Sequence, residues 1–260
     1  MDEFLERYQR GECEQVWEEL VQFQTEIRNK PLYFDALAVA QETMRRVRNN
    51  IEILILRLQE LGYQFGYEWM KPFDPFGDKW VRMQPAVYTP PSSDIVSLVE
   101  AFEQQAGPLP LSLRAFYLEV GSVNFVGTHP HWEKLLEEYN PYHLVPTTAD
   151  PLFVSGFDEN TLADYEDWKL ECEEDALQEP YSIEIAPDFN LKYNISGAGA
   201  YEMTVPNRAI DGLLLNEWHQ TTFVNYLRIC FRSAGLPGLG RIRSEISNEL
   251  EYATRNLLPF

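Results

Sequence analysis

The sequence predicts an α+β protein: a mainly antiparallel sheet covered by helices, with an N-terminal helical hairpin. Three observations support this fold class. Apolar residues recur every three or four positions over residues 37–61, which is the period of one helix face. Over residues 181–205 apolar and polar residues alternate, which is the period of a strand. A second helical stripe over residues 223–234 predicts a helix that covers the apolar face of the sheet.

The first 62 residues are helical in pattern. Four apolar residues at helical spacing mark a first helix: Val16, Leu20, Phe23 and Ile27. Lys30-Pro31 ends it, because the residue before a proline avoids the helical conformation. The stripe of residues 37–61 predicts a second helix of about 25 residues that Gly62 ends. We expect the two helices to pack as an antiparallel hairpin, and a dimerising coiled coil is the alternative.

Residues 63–91 are rich in aromatic side chains and hold five prolines between positions 72 and 91. Proline lacks the N–H group that regular helices and strands use, so the pattern predicts an extended connector. Its aromatic side chains are expected to lie on the surface of the core. A ligand-binding aromatic loop from Tyr63 to Tyr88 is the alternative interpretation.

A second module follows the connector. Asp94 is a natural N-cap for a helix over residues 95–105, which Gly107 ends. Residues 109–127 read LPLSLRAFYLEVGSVNFVG and predict a helix, a break and a short strand. Gly121 at the break suits the left-handed conformation that ends a helix. The segment has no exposed nucleophile at this joint and no helix after the glycine. The joint is therefore predicted to have a structural role and not to form a catalytic turn or a phosphate-binding site.

The remaining elements are a strand over residues 151–157, an acidic segment over 158–179 with helical stretches, and a sheet. Three alternating segments predict an antiparallel meander: Tyr181–Ile185, Leu191–Ile195 and Tyr201–Val205. The helix over residues 223–234 is expected to cover its apolar face. A last short helix is expected around residues 244–257.

The charge of the chain is strongly negative and unevenly distributed. The formal net charge is −20, and residues 131–190 hold 16 acidic residues against Lys134 and Lys169. Nucleic-acid binding needs clustered lysine and arginine, so this charge argues against a nucleic-acid partner. An acidic field of this size favours a basic partner, and a merely solvated acidic face is the alternative.

The chain is expected to be cytoplasmic. Its charged N-terminus lacks the apolar core of a secretory signal, and the apolar run IEILILRLQELG is too short and too charged to span a membrane. The three cysteines, Cys13, Cys172 and Cys230, lie far apart and fit reduced thiols better than disulfides.

The strongest candidate for chemistry is the segment GTHPHWEKLLEEYNPYH, which brings together His129, His131, Glu133 and His143. Histidine and carboxylate side chains are zinc ligands, so a metal-dependent site is possible in principle, although structural or surface histidines are the preferred interpretation. SGAGAY precedes a strand instead of a helix and predicts a hairpin turn. Cys230 falls on an apolar helix face, which argues against a catalytic dyad with His219. We therefore expect no catalytic residue, no metal and no cofactor.

Several of these stretches together resemble a known family. LPLSLRAFYLEVGSVNFVG, DPLFVSG, IAPDFNLKYNISGAGAYEMTVPN and LLLNEWHQTTFVNYLRICF are similar in order and type to the SUKH superfamily, the group of the Smi/Knr-type fungal cell-wall regulator and its bacterial relatives. The resemblance covers residues 92–240. It implies one α+β domain without catalytic residues. It also implies a binding role, since bacterial members include immunity proteins that block toxin domains, often nucleases.

The sequence departs from that family in two places. Family members commonly have two glycines at the helix–strand joint, whereas this sequence has Gly121 followed by Ser122. In addition, the helical residues 1–62 are not part of the usual domain. The chain is accordingly divided into a helical extension (1–62), a connector (63–91), a SUKH-like domain (92–240) and a helical tail (241–260).

The sequence thus predicts a non-enzymatic module that binds a basic protein, and a toxin domain is one such partner. Seven acidic residues are the predicted contact surface: Asp164, Glu166, Asp167, Glu171, Glu173, Glu174 and Asp175. No membrane or nucleic-acid contact is expected. The alternative is a small-ligand-binding or metal-dependent enzyme that uses residues 129–143.

Overall fold

A computed structural model describes residues 3–70, 80–139, 149–175, 180–188, 192 and 199–260 of the chain. Four predicted features lie wholly or partly outside these residues. They are His143, the side chains of Glu173, Glu174 and Asp175, the middle of the connector, and the strand Leu191–Ile195 apart from Lys192.

The structure combines helices, which make up most of the described chain, with small antiparallel sheets, and this agrees with the predicted α+β class. They are α1 (Glu3–Gln9), α2 (Cys13–Gln22), α3 (Leu32–Glu60), α4 (Ile95–Ala106), α5 (Leu111–Glu119), α6 (Pro130–Tyr139), α7 (Glu159–Asp175), α8 (Phe223–Arg232) and α9 (Ser247–Thr254). Short 3₁₀ helices cover Gln24–Arg28 and Pro237–Ile242. The stripes of residues 37–61 and 223–234 therefore form helices, and the long second helix begins at Leu32, directly after the proline break. The first predicted helix is wrong in its extent, because α2 ends at Gln22 and Ile27 lies in a separate 3₁₀ helix after Gln24, whose φ is +46°.

The strands are short and antiparallel. They are β1 (Gln64–Phe65), β2 (Tyr67–Met70), β3 (Trp80–Met83), β4 (Tyr88–Thr89), β5 (Ser122–Asn124), β6 (Gly127–Thr128), β7 (Phe153–Val154), β8 (Tyr181–Ala186) and β9 (Tyr201–Val205). The described residues form four small sheets: β1–β6, β2–β3, β4–β5–β7 and β8–β9. Several strands hold only two or three residues, so the sheets depend on the surrounding helices for burial.

The predicted order of the meander is wrong. Strand β8 pairs directly with β9, with Tyr181 opposite Val205 and Ile183 opposite Met203. In a meander of three consecutive strands, β8 and β9 would not be neighbours. Alternation along one strand indicates its two faces, but it does not identify the neighbouring strand.

Helix α3 packs on several elements. It contacts α1 and the 3₁₀ helix Gln24–Arg28, as a hairpin would, and it also packs along α5 and against α9. Eleven of its residues are buried, among them the apolar stripe from Val39 to Leu58. The breadth of this buried face follows from contacts on more than one side.

Gly121 connects α5 to β5, as predicted. Its φ is +93°, and its N–H donates to the carbonyl oxygen of Phe116 at 3.0 Å. A Cβ atom at this position would lie 2.3 Å from the carbonyl oxygen of Thr89 in β4. Two features therefore require glycine at position 121: the left-handed backbone conformation and the close approach of β4.

One hydrophobic cluster runs through the described chain and includes side chains from residues 3–62, 95–239 and 242–260. Helix α8 covers β9 as predicted, with the rings of Tyr226 and Tyr201 6.1 Å apart. The division of the chain into four segments stays a prediction. No helix of the described residues has both the length and the apolar character to cross a bilayer.

Candidate functional site

The predicted acidic segment forms helix α7, and the residue before the helix explains where it begins. Asp158 Oδ1 accepts hydrogen bonds from the backbone N–H groups of Asn160 (2.9 Å) and Thr161 (3.3 Å). These N–H groups have no acceptor within the helix, so Asp158 acts as the N-cap. Its negative charge also interacts favourably with the positive end of the helix dipole.

Two aromatic side chains hold α7 against the domain. The Tyr165 ring packs edge-on against Phe102 of α4 and Tyr181 of β8, at centroid distances of 5.7 and 5.1 Å. Trp168 lies 5.3 Å from the Tyr181 ring, and the Tyr165 hydroxyl donates to the carbonyl oxygen of Gln105 at 3.1 Å. One face of α7 is therefore docked, which fixes the direction of the opposite face.

The outward face of α7 carries the predicted acidic residues. Asp164, Glu166, Asp167 and Glu171 are all exposed. None of the four forms an ion pair with the lysines, arginines or histidines that the structure describes. Leu170 lies among them with 60% of its surface exposed. The structure thus presents four of the seven predicted residues on one uncompensated face, and it does not describe the side chains of the other three.

Two further carboxylates extend this face onto the sheet. Glu184 of β8 and Glu202 of β9 stand directly opposite each other in the strand pair. Partial burial, then the charges of Glu202 and Asp164, raises the pKa of Glu184 above its ordinary value. Burial, and next the Asp164 charge, raises the pKa of Tyr181 to about 12. Like charges opposite each other destabilise a sheet, so this surface is electrostatically unfavourable in the isolated chain.

The sequence reasoning missed Glu184 and Glu202. Both occupy polar positions of the alternating strand pattern, which indicates that they face away from the core. Their pairing depends on the register of β8 and β9, which the sequence pattern does not specify. We define the exposed carboxylates Asp164, Glu166, Asp167 and Glu171 of α7, together with Glu184 and Glu202, as the acidic face.

The histidine segment has a different geometry from a His-x-His strand. Pro130 begins α6, so His131 lies in the first turn of a helix and is exposed. The His129 ring stacks on Trp132 with centroids 4.1 Å apart. Its Nδ1 accepts the backbone N–H of Trp132 at 3.3 Å, so Nε2 carries the proton and donates to the carbonyl oxygen of Leu61 at 3.1 Å.

Both ring nitrogens of His129 are therefore used to join the end of α3 to the start of α6. Burial lowers the pKa of His129, which favours this neutral form. A metal ion would have to displace one of the two hydrogen bonds. The described residues hold no group of three or more histidine, cysteine or acidic side chains arranged to bind a metal ion.

Buried charges elsewhere also hold the fold, and sequence patterns did not indicate them. Lys192 Nζ lies 2.7 Å from Asp150 Oδ1, with the lysine side chain fully buried. His219 Nδ1 lies 2.7 Å from Glu217 Oε1, and this contact raises the pKa of His219.

Burial raises the pKa of the Cys230 thiol on the inner face of α8. A protonated, buried thiol agrees with the expectation that Cys230 is not a nucleophile.

No protein-family model matches the chain, and neither the curated proteins nor the solved structures include a match. The resemblance of residues 92–240 to the SUKH superfamily therefore stays a prediction.

Proposed function

We propose that the chain is a non-enzymatic protein-binding module and that the acidic face contacts a basic surface of its partner. The observation that carries the proposal is the lack of compensation in this region. Four exposed carboxylates of α7 have no cationic partner among the described residues, although the same protein pairs its glutamates with arginines elsewhere. A basic partner would supply the missing positive charge.

The opposed pair Glu184 and Glu202 supports the same proposal. The raised pKa of Glu184 means that ionisation of this carboxyl is less favourable in the folded chain than in free solution. A lysine or arginine of a partner placed near both carboxylates would remove that repulsion. The free energy that the isolated chain loses here would then be recovered on binding.

An apolar contact at the centre of the face would supply affinity. Leu170 is 60% exposed and is surrounded on its helix by Glu166, Asp167 and Glu171. Charged rims accelerate association, whereas buried apolar side chains at the centre of an interface slow dissociation. The acidic residues would therefore control the on-rate, and Leu170 would act as the anchor.

The finer proposal is that the partner is a toxin domain, of the nuclease type, and that the chain is a cytoplasmic immunity protein. A nuclease active site is basic because it binds phosphates, so an acidic face complements it. Mechanistically, the acidic face would cover that site and exclude its substrate. This identification rests on the SUKH resemblance, and the basic character of the partner rests on the acidic face.

The test compares the wild-type chain with two charge-reversal variants. In the first, Asp164, Asp167 and Glu171 are replaced by lysine. In the matched control, the exposed residues Glu18, Glu26 and Glu100 are replaced by lysine, which changes the net charge equally at other places. Each chain is immobilised, incubated with lysate of the source cells, and the protein retained by the wild type is purified for kinetics.

The α7 variant is expected to bind the purified partner with an on-rate at least about tenfold lower at low salt, and with a flatter salt dependence. The control variant should keep at least the larger part of the wild-type on-rate. Equal on-rates for both variants would rule out the acidic face as the contact. Stoichiometric zinc in the purified wild-type chain, lost on His129→Ala, would favour the metal-dependent alternative instead.

A further inference from the structure

A cleft of about 570 Å³ lies on another part of the molecule, between α2, α3, α8 and residues 254–260. Three arginines line it: Arg228, Arg232 and Arg243. Glu14 is the acidic residue of this lining. In a chain whose net charge is −20, the local sign of the charge is therefore reversed in this cleft.

These arginines are poorly compensated. Neither Arg228 nor Arg243 forms an ion pair with an aspartate or glutamate side chain of the described residues, and Arg232 approaches Glu14 only to 3.7 Å, with both side chains largely exposed. Arg243 Nη1 makes a long hydrogen bond of 3.4 Å to the carbonyl oxygen of Arg232. In the helical N-terminal region, in contrast, Arg7, Arg45 and Arg46 each pair with a glutamate at 2.6 to 3.3 Å.

Arg228 has the most unusual environment of the three. Its Nε donates to the main-chain oxygen of Phe260 at 2.8 Å, and its Nη1 approaches Asn225 Oδ1 at 3.3 Å. Its Nη2 is buried and has no acceptor among the described residues. A buried donor without an acceptor is costly, and burial lowers the pKa of this guanidinium. An anion held nearby would stabilise the charged form of this guanidinium through its negative charge.

The rest of the lining mixes polar side chains (Gln15, Asn50 and Thr254) with an aromatic and aliphatic wall. Phe231 and Phe260 pack edge-on at 5.3 Å, and Leu257 lies beside them. Asn50 fixes one wall, because its side chain exchanges two hydrogen bonds with the backbone of Leu258, at 2.9 and 2.8 Å. The cleft is thus built of an arginine cluster and an aromatic wall, and its volume falls in the range of small-ligand sites.

We propose that this cleft binds a small organic anion, with one carboxylate or phosphate group on an apolar body. The guanidinium groups of Arg232 and Arg243 would hold the anionic group, since arginine pairs with two oxygens of a carboxylate or phosphate at once. Phe231 and Phe260 would contact the apolar body. This cleft is separate from the acidic face, so the proposed anion site and the proposed protein-binding surface can be tested independently.

The test uses 1-anilinonaphthalene-8-sulfonate, an organic anion that fluoresces in apolar surroundings, titrated into the folded chain. Arg232→Gln and Arg243→Gln are each expected to weaken its binding about tenfold, because each removes a charged hydrogen-bond donor. Arg208→Gln is the matched control, since Arg208 is exposed and does not line the cleft. Its affinity should equal that of the wild type, and the unfolding temperature of every variant is measured alongside.

Competition then identifies the chemistry of the ligand. Phenyl phosphate and phenylacetate should displace the probe, whereas the neutral analogue 2-phenylethanol should not. The anion that displaces the probe at the lower concentration indicates the preferred head group. Equal affinities for the cleft variants and Arg208→Gln would overturn the proposal. So would displacement by 2-phenylethanol as strong as by the anions, or the absence of saturable probe binding to the folded wild type.

Discussion

Charged side chains play opposite roles in the N-terminal helices and on the acidic face. In the helices several of them are paired: Arg7 binds Glu19 through two hydrogen bonds of 2.7 and 2.6 Å, and Arg46 binds Glu42 at 2.9 Å. On the acidic face the exposed carboxylates of α7 have no ion-pair partner among the described residues, and Glu184 stands opposite Glu202.

The comparison separates charges that hold the fold from charges that remain for a partner. Paired side chains in the first region also fasten the chain after α9, since Arg46 donates to the carbonyl oxygen of Pro259 at 2.9 Å and Asn50 binds Leu258. Removing such a contact should cost stability. Removing a carboxylate of the acidic face should cost none, and at one position it should add some.

The largest effect is expected from Asn50→Ala. Asn50 is fully buried, and its amide satisfies both the N–H and the carbonyl oxygen of Leu258. Alanine would leave two backbone groups without partners, so the free energy of unfolding should fall by about 2–4 kcal/mol. Urea denaturation followed by circular dichroism measures this. The exposed neighbour Asn49→Ala is the control and should change stability by less than about 0.5 kcal/mol. Equal stabilities of the two variants would show that the side chain of Asn50 does not hold residues 257–260.

The helices were largely predictable from sequence, because helical periodicity is a local property. The stripe of residues 37–61 and that of residues 223–234 became α3 and α8, and Gly121 has the positive φ expected of it. The acidic face was found in part from composition, since Asp164, Glu166, Asp167 and Glu171 lie in the most acidic segment of the sequence, and the structure shows all four exposed.

What the sequence could not predict depends on contacts between distant residues. Asn50 and Leu258 are 208 positions apart, and Asp150 and Lys192 are 42 apart. The predicted meander failed on the same point, because the alternating pattern leaves the neighbours of a strand undetermined. Glu184 joins the acidic face only through the register of β8 with β9.

A smaller effect of opposite sign is expected from Glu184→Gln. The pKa of Glu184 is raised in the folded chain, so its ionised form destabilises the fold at neutral pH. Glutamine should increase the free energy of unfolding at pH 7 by roughly 0.5 kcal/mol, since like charges opposite each other in a sheet cost about that much and solvent screens a partly exposed pair.

The pH dependence provides the check on Glu184→Gln. Below the ordinary glutamate pKa of 4.5 the wild-type carboxyl is protonated in both the folded and the unfolded chain, so the gain should vanish there. It should grow as the pH rises through the raised pKa of the folded state. Thermal unfolding at several pH values, with Glu100→Gln as an exposed control, measures this. A gain that is the same at all pH values would contradict the repulsion between Glu184 and Glu202.

The smallest effect on stability is expected from replacing Asp167 and Glu171 together by serine. Both side chains point away from the docked side of α7 and hold no described cation, so the free energy of unfolding should change by less than about 0.5 kcal/mol. Glu19→Ser removes a carboxylate of similar exposure that Arg7 does hold, and it should lower stability measurably by the same urea assay. A loss on α7 as large as that of Glu19→Ser would mean that the acidic residues support the fold. If the double serine variant keeps its stability and associates more slowly with the basic partner, the two roles of charge in this molecule are separated by experiment, because the same change leaves folding intact and slows binding.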